Sequence, residues 1–310
     1  MKPLHINTPL IKSAPLSKKL NTNVWLKMDA LQPSGSFKNR GVGYACQQHH
    51  GNGVKQLVSS SGGNAGLAVA FCGGQLGMSV TVVVPKTTKQ RAIDLIELEG
   101  AKVIVHGENW PEAHQKAMSL AGDDAALIHP FDDPALWHGH ASIIDEVCQA
   151  GVKPDAVVLS VGGGGLLCGV AQGLEQNGLE DVPIVAVETI GAQSLYAAKQ
   201  AAKHVEIDGI SSIATSLGAT KVAKRAFELL SERNIACKVV PDSAAVKACI
   251  DFIDDHRIVV EPACGAALSV VYNEADVSSE VLPEVLKAKQ NILVIVCGGV
   301  GMSLEQLQLC

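Results

Sequence analysis

The chain has 310 residues, of which 47% are hydrophobic, enough for one large domain or two medium ones. Its formal net charge of -6 at pH 7 gives no support to nucleic-acid binding, which usually uses a basic surface. It has neither an apolar signal core nor a run of about 20 apolar residues, so we predict no membrane segment. The nine cysteines form no CxxC pair, which favours a reducing, cytoplasmic location.

Short apolar runs alternate with helical patterns along the chain. The runs are apolar throughout, as in strands that are buried on both faces. We predict strands at residues 24–28, 56–59, 80–84, 102–105, 156–159, 184–187 and 292–296. Predicted helices lie between them at residues 37–48, 65–74, 89–99, 111–120, 142–150, 166–175 and 243–254. This alternation predicts an α/β fold with helices on both faces of the sheet.

The first of four glycine-marked turns reads PSGSFKNRG at residues 33–41 and places Lys38 at the start of a helix. The positive potential of a helix N-terminus lowers the pKa of a lysine, and a less protonated amine is a better nucleophile. A lone lysine is more often a solvated surface residue, so this turn does not assign a function.

The second turn, SSSGGNAG at residues 59–66, follows a predicted strand and opens a helix. Free N–H groups at such a turn bind an anion, and the serine hydroxyls add donors. An ordinary capped turn explains this stretch equally well.

The third turn, SVGGGGL at residues 160–166, contains four consecutive glycines. Their conformational cost is justified where a phosphate approaches the backbone closely. The chain lacks a matching G-x-G-x-x-G or G-x-x-x-x-G-K-[ST] pattern here, which disfavours a nicotinamide enzyme or a P-loop ATPase.

The fourth turn, VIVCGGVG at residues 294–301, places Cys297 at the end of a buried strand. Ligands of open α/β sheets bind at the carboxyl ends of strands, although a cysteine there is more often part of the core. His138 and His140 have no third metal ligand nearby in the sequence, so we interpret their segment as a polar loop.

In this order the four turns resemble the fold-type II pyridoxal-phosphate (PLP) enzymes, and most closely the serine/threonine dehydratase family. The segments at residues 131–134, 139–142 and 261–266 extend the resemblance over nearly the whole chain. The resemblance implies two three-layer α/β domains with mainly parallel sheets, like the tryptophan synthase β subunit. Residues 1–39 and 136–310 would form the large PLP-binding domain, and residues 40–135 a small mobile domain.

The resemblance also implies a role for each site residue. Lys38 would hold the cofactor as a Schiff base, and Phe37 would pack against its ring. The substrate carboxylate would bind to Ser61, Gly62, Asn64 and Ala65, with Asn64 also reaching the phenolic oxygen of the cofactor. The phosphate would bind to Gly162, Gly163, Gly164 and Gly165. Ser216 would lie over the ring opposite Phe37, and Cys297 would be a neutral partner of the pyridine nitrogen.

A monovalent-cation site, expected to hold K+, is implied near Glu188. Its ligands would be that carboxylate and the backbone carbonyls of Ala192, Leu217 and Ala219. Glu188 follows a buried strand, where an unpaired carboxylate is costly and a cation compensates it. The alternative is an ordinary strand-end glutamate in water.

The implied activity is dehydration of L-serine, and also of L-threonine, to a 2-oxo acid and ammonia by a homodimer in amino-acid catabolism. The chain ends at Cys310, which leaves no room for the regulatory domain of biosynthetic threonine dehydratases, so amino-acid feedback is not expected. Three alternatives stay open: a serine racemase, a β-replacement enzyme such as a cysteine synthase, and a catalytically silent PLP-binding protein.

Gly62 favours the dehydratase over the racemase. Racemisation needs an acid on each face of the substrate carbanion, and in the racemases that the chain resembles a serine at this position supplies the second. Gly62 has no side chain, so we predict pyruvate with little D-serine, and some D-serine from Gly62→Ser. We also expect the glycine to leave room that a methyl group would fill.

Overall fold

A computed structural model of the chain describes residues 1–272, 284–286 and 289–309. Within these ranges there are ten strands, namely β1 Leu10–Lys12, β2 Asn23–Lys27, β3 Gln56–Ser59, β4 Ser79–Val84, β5 Lys102–Val105, β6 Ala125–Ile128, β7 Ala156–Ser160, β8 Ile184–Thr189, β9 Ile235–Val240 and β10 Asn291–Ile295. The α-helices in the same ranges are α1 Ala14–Leu20, α2 Lys38–Gly51, α3 Asn64–Gln75, α4 Gln90–Leu98, α5 Trp110–Leu120, α6 Pro134–Gln149, α7 Gly165–Gln176, α8 Ser194–Ala201, α9 Lys224–Glu232, α10 Asp242–His256, α11 Pro262–Tyr272 and α12 Leu304–Gln308.

The smaller sheet has four parallel strands in the order β5-β4-β3-β6. Its two faces are covered by different helices. Leu57 packs in one apolar cluster with residues of α2 and α3, while its neighbour Val58 packs in another with Ala113 and Ala117 of α5. Successive residues of a strand point to opposite faces, so this sheet is the middle layer of three.

The larger sheet has six strands in the order β1-β2-β10-β7-β8-β9. Only the edge strand β1 runs antiparallel to its neighbour. Every residue of β7 and β8 is buried, which requires cover on both faces and explains their uninterrupted apolar sequences. The predicted α/β class with mainly parallel sheets is confirmed.

All seven predicted strands are present, and β1, β6 and β9 were missed. The strands β1, β6 and β9 lie at sheet edges, where partial exposure removes the continuous apolar signal. Helix α6 begins at Pro134 rather than at residue 142, because the Asp133 carboxylate caps it by accepting from Ala135 N.

The predicted domain boundaries at 39/40 and 135/136 fall inside α2 and α6, and they stay a prediction. These two helices cross closely, since a Cβ on Gly139 would lie 2.4 Å from the carbonyl oxygen of Arg40. Among the described residues no helix is long and apolar enough to span a membrane.

Candidate active site

Lys38 is the first residue of α2, and its amine donates a hydrogen bond to the carbonyl oxygen of Pro130 at 2.5 Å. Burial lowers the pKa of Lys38 to about 8, opposed by a smaller effect of Cys297. The amine also lies 5.0 Å from the centre of the Phe37 ring. The structure therefore provides a poorly solvated amine that is neutral in a large fraction of molecules near pH 8.

A buried ion network fixes the first turn of α2. Arg40, two residues after Lys38, donates to both oxygens of Asp29 at 2.7 and 2.8 Å and to both oxygens of Glu146 at 2.7 and 2.8 Å. Lys27 completes the group through Glu146 at 2.5 Å. Two cations face two carboxylates, so the buried charges balance and hold the helix that carries Lys38.

The glycine loop after β7, residues 162–165, packs so closely against neighbouring residues that side chains would not fit there. A Cβ on Gly163 would lie 2.2 Å from the Phe131 ring, and a Cβ on Gly162 would lie 2.9 Å from the Cα of Leu217. Gly164 has a φ of +88° and caps α7. Within the described chain none of the N–H groups of residues 162–166 donates to a protein acceptor. Such a row of free N–H groups at a helix N-terminus suits a phosphate.

The loop after β3 leads into α3 and presents a second set of backbone donors. The N–H groups of Asn64, Ala65 and Gly66 have no acceptor among the described residues. Ser61 lies beside them, and its hydroxyl accepts from Gly63 N at 3.3 Å. The N-terminus of α3 thus fits a carboxylate.

Asn64 connects this loop to the larger sheet. Its amide nitrogen donates to Glu261 at 2.8 Å and lies 3.4 Å from the hydroxyl of Ser216, and its amide oxygen accepts from Val300 N at 3.2 Å. The sequence interpretation did not assign a role to Glu261, whose carboxylate is buried and whose pKa burial raises. The contact joins residues 197 positions apart, and no local pattern reveals it.

Cys297 lies where predicted, after β10, and its carbonyl accepts from Phe37 N at 3.0 Å. A hydrogen bond with Cys264, together with burial, raises the pKa of the Cys297 thiol well above its usual value. The thiol is therefore neutral, in agreement with the expected neutral partner for a pyridine nitrogen.

The segment from His129 to Phe131, which follows β6, was not predicted to take part in the site. Pro130 accepts from Lys38, and the Phe131 ring packs on Gly163. Burial, followed by His114 and Lys38, lowers the pKa of His129 to about 4, so its ring is neutral. The segment thus links the lysine to the glycine loop. The histidines and the FDD sequence in this region are the sequence features that could have predicted its place in the site.

Glu188, the centre of the predicted cation site, is buried, but its carboxylate is hydrogen-bonded, so the expectation of an unpaired carboxylate is wrong. Its two oxygens accept from the N–H groups of Leu195 and Tyr196 at 2.8 and 2.7 Å. Burial nevertheless raises the pKa of Glu188 to about 7, against the smaller effect of these hydrogen bonds. The hydroxyl of Ser194, the residue before Leu195 in the chain, is buried and has no partner among the described residues.

Of the other predicted cation ligands, Ala192 follows Glu188 by four positions, and Leu217 lies against Gly162 of the glycine loop. Ala192 follows β8 and its N–H donates to Thr189 O at 2.9 Å. The carbonyl of Leu217 accepts from Ala219 N at 2.8 Å. No cluster of three or more His, Cys, Asp or Glu side chains occurs in the described ranges, so a cation here would depend largely on carbonyl and hydroxyl oxygens.

These residues fit PLP. The amine of Lys38 has a lowered pKa, the glycine loop offers free N–H groups in a space that side chains would fill, and the thiol of Cys297 is neutral. The buried Ser36 hydroxyl, which has no partner in the described chain, adds an unused polar atom next to Phe37.

Comparison with known proteins agrees with this fit. Residues 1–298 match the model of the family described as pyridoxal-phosphate dependent enzyme. The human protein named L-serine dehydratase/L-threonine deaminase is 46% identical, over 99% of this chain and 94% of its own length. The structure of a fungal L-serine ammonia-lyase from Rhizomucor miehei superposes with a TM-score of 0.89 at 37% identity, covering 99% of this chain and 98% of its own.

A maize serine racemase superposes equally well, with a TM-score of 0.89 over 99% of this chain and 92% of its own, but at 22% identity it shows the fold alone. The fold is therefore that of fold-type II enzymes, and the match to the family model extends over almost the whole sequence. The chain belongs to the family of pyridoxal-phosphate dependent enzymes.

Proposed function

We propose that this enzyme is an L-serine ammonia-lyase, which converts L-serine to pyruvate and ammonia and L-threonine to 2-oxobutanoate and ammonia. The observation that carries the proposal is the position of Lys38, whose amine has a lowered pKa and lies between Phe37 and the segment that packs on the glycine loop. Similarity to proteins named serine dehydratase supports the substrate class.

The residues of the site would have distinct roles in binding the substrate, binding the cofactor and transferring a proton. The N-terminus of α3 holds the substrate carboxylate, with Asn64 oriented by Glu261 and Val300. Residues 162–166 would hold the cofactor phosphate, and the neutral thiol of Cys297 would be the partner of the pyridine nitrogen. Lys38 accepts the α-proton of the substrate at Nζ. When bound, PLP withdraws electrons from the substrate α-carbon, so that this proton and then the β-hydroxyl leave.

The cation belongs to the proposal as well. We place K+ beside Glu188, with carbonyl oxygens of Ala192, Leu217 and Ala219, and we add the unpartnered hydroxyl of Ser194 as a further oxygen ligand. A monovalent cation there favours the ionised form of a carboxylate that burial disfavours. We also propose a homodimer, as the family resemblance of the sequence implies, and a cytoplasmic location, which the absence of CxxC pairs favours.

The test is the release of pyruvate from L-serine by the PLP-loaded protein, followed with a coupled reductase. We expect pyruvate and ammonia in equal amounts, and 2-oxobutanoate from L-threonine. Covalent fixation of PLP to the protein by borohydride, with no pyruvate formed from L-serine, would instead identify a silent PLP-binding protein. A β-replacement enzyme would need a second substrate before it turned over.

A further inference from the structure

Gly62 and Thr88 are neighbours in space although they are 26 positions apart in the chain. Gly62 lies in the loop after β3, and Thr88 lies in the loop after β4, the adjacent parallel strand. A Cβ on Gly62 would lie 2.7 Å from Cγ2 and 2.9 Å from Oγ1 of Thr88, and 3.3 Å from Cγ1 of Val84. The expectation that Gly62 leaves room for a methyl group is therefore wrong, because Thr88 fills that room.

Packing against Thr88, and less closely against Val84, restricts the size of the residue at position 62. The φ angle of Gly62 is not positive, so its backbone suits any L-amino acid. Thr88 is partly buried, and its N–H donates to Pro85 O at 3.0 Å, which holds the turn in place. Its side chain makes no hydrogen bond within the described chain, so it contributes by filling space.

We propose that Thr88 is a specificity-determining residue, whose side chain keeps any side chain at position 62 out of the substrate site. This inference rests on the proposed function. A racemase must return a proton to the substrate α-carbon from the face opposite Lys38, and a hydroxyl at position 62 is the group that would do so. The Thr88 side chain and a serine side chain introduced at position 62 would then compete for one space, so we expect Gly62→Ser alone to give less D-serine than the variant that also lacks the Thr88 side chain.

The first measurement is a double-mutant cycle on the thermal stability of the PLP-loaded enzyme, with Gly62→Ser, Thr88→Ala and the double variant. We expect Gly62→Ser to lower Tm by about 2–6 °C through overpacking, and the added Thr88→Ala to restore most of that loss. Gly62→Ala, with and without Thr88→Ala, repeats the comparison if the serine variant does not fold. Additive changes in Tm would overturn the proposed contact.

The second measurement is chiral chromatography of serine after partial turnover. We expect D-serine at several-fold higher yield from Gly62→Ser/Thr88→Ala than from Gly62→Ser. Equal yields, or no D-serine from a double variant with restored Tm, would overturn the proposal. Failure of the wild type to form pyruvate would reject the proposed function, while the Tm cycle would still test the Gly62–Thr88 contact.

Two single variants distinguish a steric role of the Thr88 side chain from proton transfer by its hydroxyl. Thr88→Val keeps the shape without the hydroxyl and should retain the wild-type ratio of pyruvate to D-serine, as should Thr87→Ala, which changes the exposed neighbour. A several-fold change in that ratio for Thr88→Val would show that the Thr88 hydroxyl itself transfers a proton, and would contradict a purely steric role.

Discussion

The amine of Lys38 is held by the carbonyl oxygen of Pro130, 2.5 Å away and 92 positions along the chain. This contact joins the first turn of α2 to the loop after β6, and so places the nucleophile beside the Phe131 ring that packs on the glycine loop. The attachment point of the cofactor and its phosphate site are thus connected through three consecutive residues, His129, Pro130 and Phe131.

The lowered pKa of Lys38 sets the pH dependence of cofactor loading. Only the neutral amine attacks the PLP aldehyde, and with a pKa of about 8 the neutral fraction rises about tenfold between pH 7 and pH 9, then levels off. We expect the rate at which the PLP-free protein takes up PLP to follow this curve. A rate that keeps rising about tenfold per pH unit up to pH 10 would show an ordinary lysine.

Removal of the Lys38 amine should separate cofactor binding from turnover. Lys38→Ala should retain weak PLP binding through the free N–H groups of residues 162–166, measured by equilibrium dialysis, and should lose pyruvate formation. Lys55→Ala, which changes an exposed lysine, should behave as the wild type. Near-normal pyruvate formation by Lys38→Ala would remove that residue from the mechanism.

The glycine loop should not tolerate a methyl group. Gly163→Ala places a Cβ 2.2 Å from the Phe131 ring, and displacement of that ring should cost about 1–3 kcal/mol of folding free energy and weaken PLP binding. Gly209→Ala is the matched control, because a Cβ there meets no atom within 4 Å. Equal stability and equal PLP affinity of the two variants would contradict the tight loop.

Glu188 connects cation binding to pH. Its pKa of about 7 lies above the usual value of 4.5, so its contribution to stability without a cation is fully present below pH 4.5 and is lost as pH rises through 7. A cation reverses this loss by favouring the ionised carboxylate. Activity and Tm should therefore be higher in potassium than in sodium or lithium at matched ionic strength, and the difference should be larger at pH 8 than at pH 6.

Two glutamate variants check the cation prediction. Glu188→Gln should remove the preference for potassium, whereas Glu180→Gln, at an exposed position, should keep it. Equal activity of the wild type in all three salts would count against a cation at this position.

Much of the site could be predicted from sequence because its residues occur in local motifs. Lys38, the four glycines at 162–165 and Cys297 each lie at the end of a strand or the start of a helix, and the structure places them there. The contacts of Glu261 with Asn64 and of Thr88 with Gly62 could not be predicted this way. They join loops from different strands, and their geometry depends on the register and packing of whole sheets.

Contacts from distant segments also overturned two interpretations that the sequence alone favoured. Glu188 follows an apolar strand, which suggests an uncompensated carboxylate, but the N-terminus of α8 folds back to supply two donors. Gly62 suggests empty space, yet the loop after β4 fills it. In both cases the missing information was which backbone or side chain a distant segment brings to the residue.

The most direct test of the ammonia-lyase assignment is the partition of L-serine by the PLP-loaded wild type, with pyruvate and D-serine measured in the same reaction. We expect pyruvate to accumulate with little or no D-serine, because Gly62 has no side chain that could return a proton on the face opposite Lys38. Accumulation of D-serine at a rate comparable with that of pyruvate would contradict the ammonia-lyase assignment and favour a serine racemase.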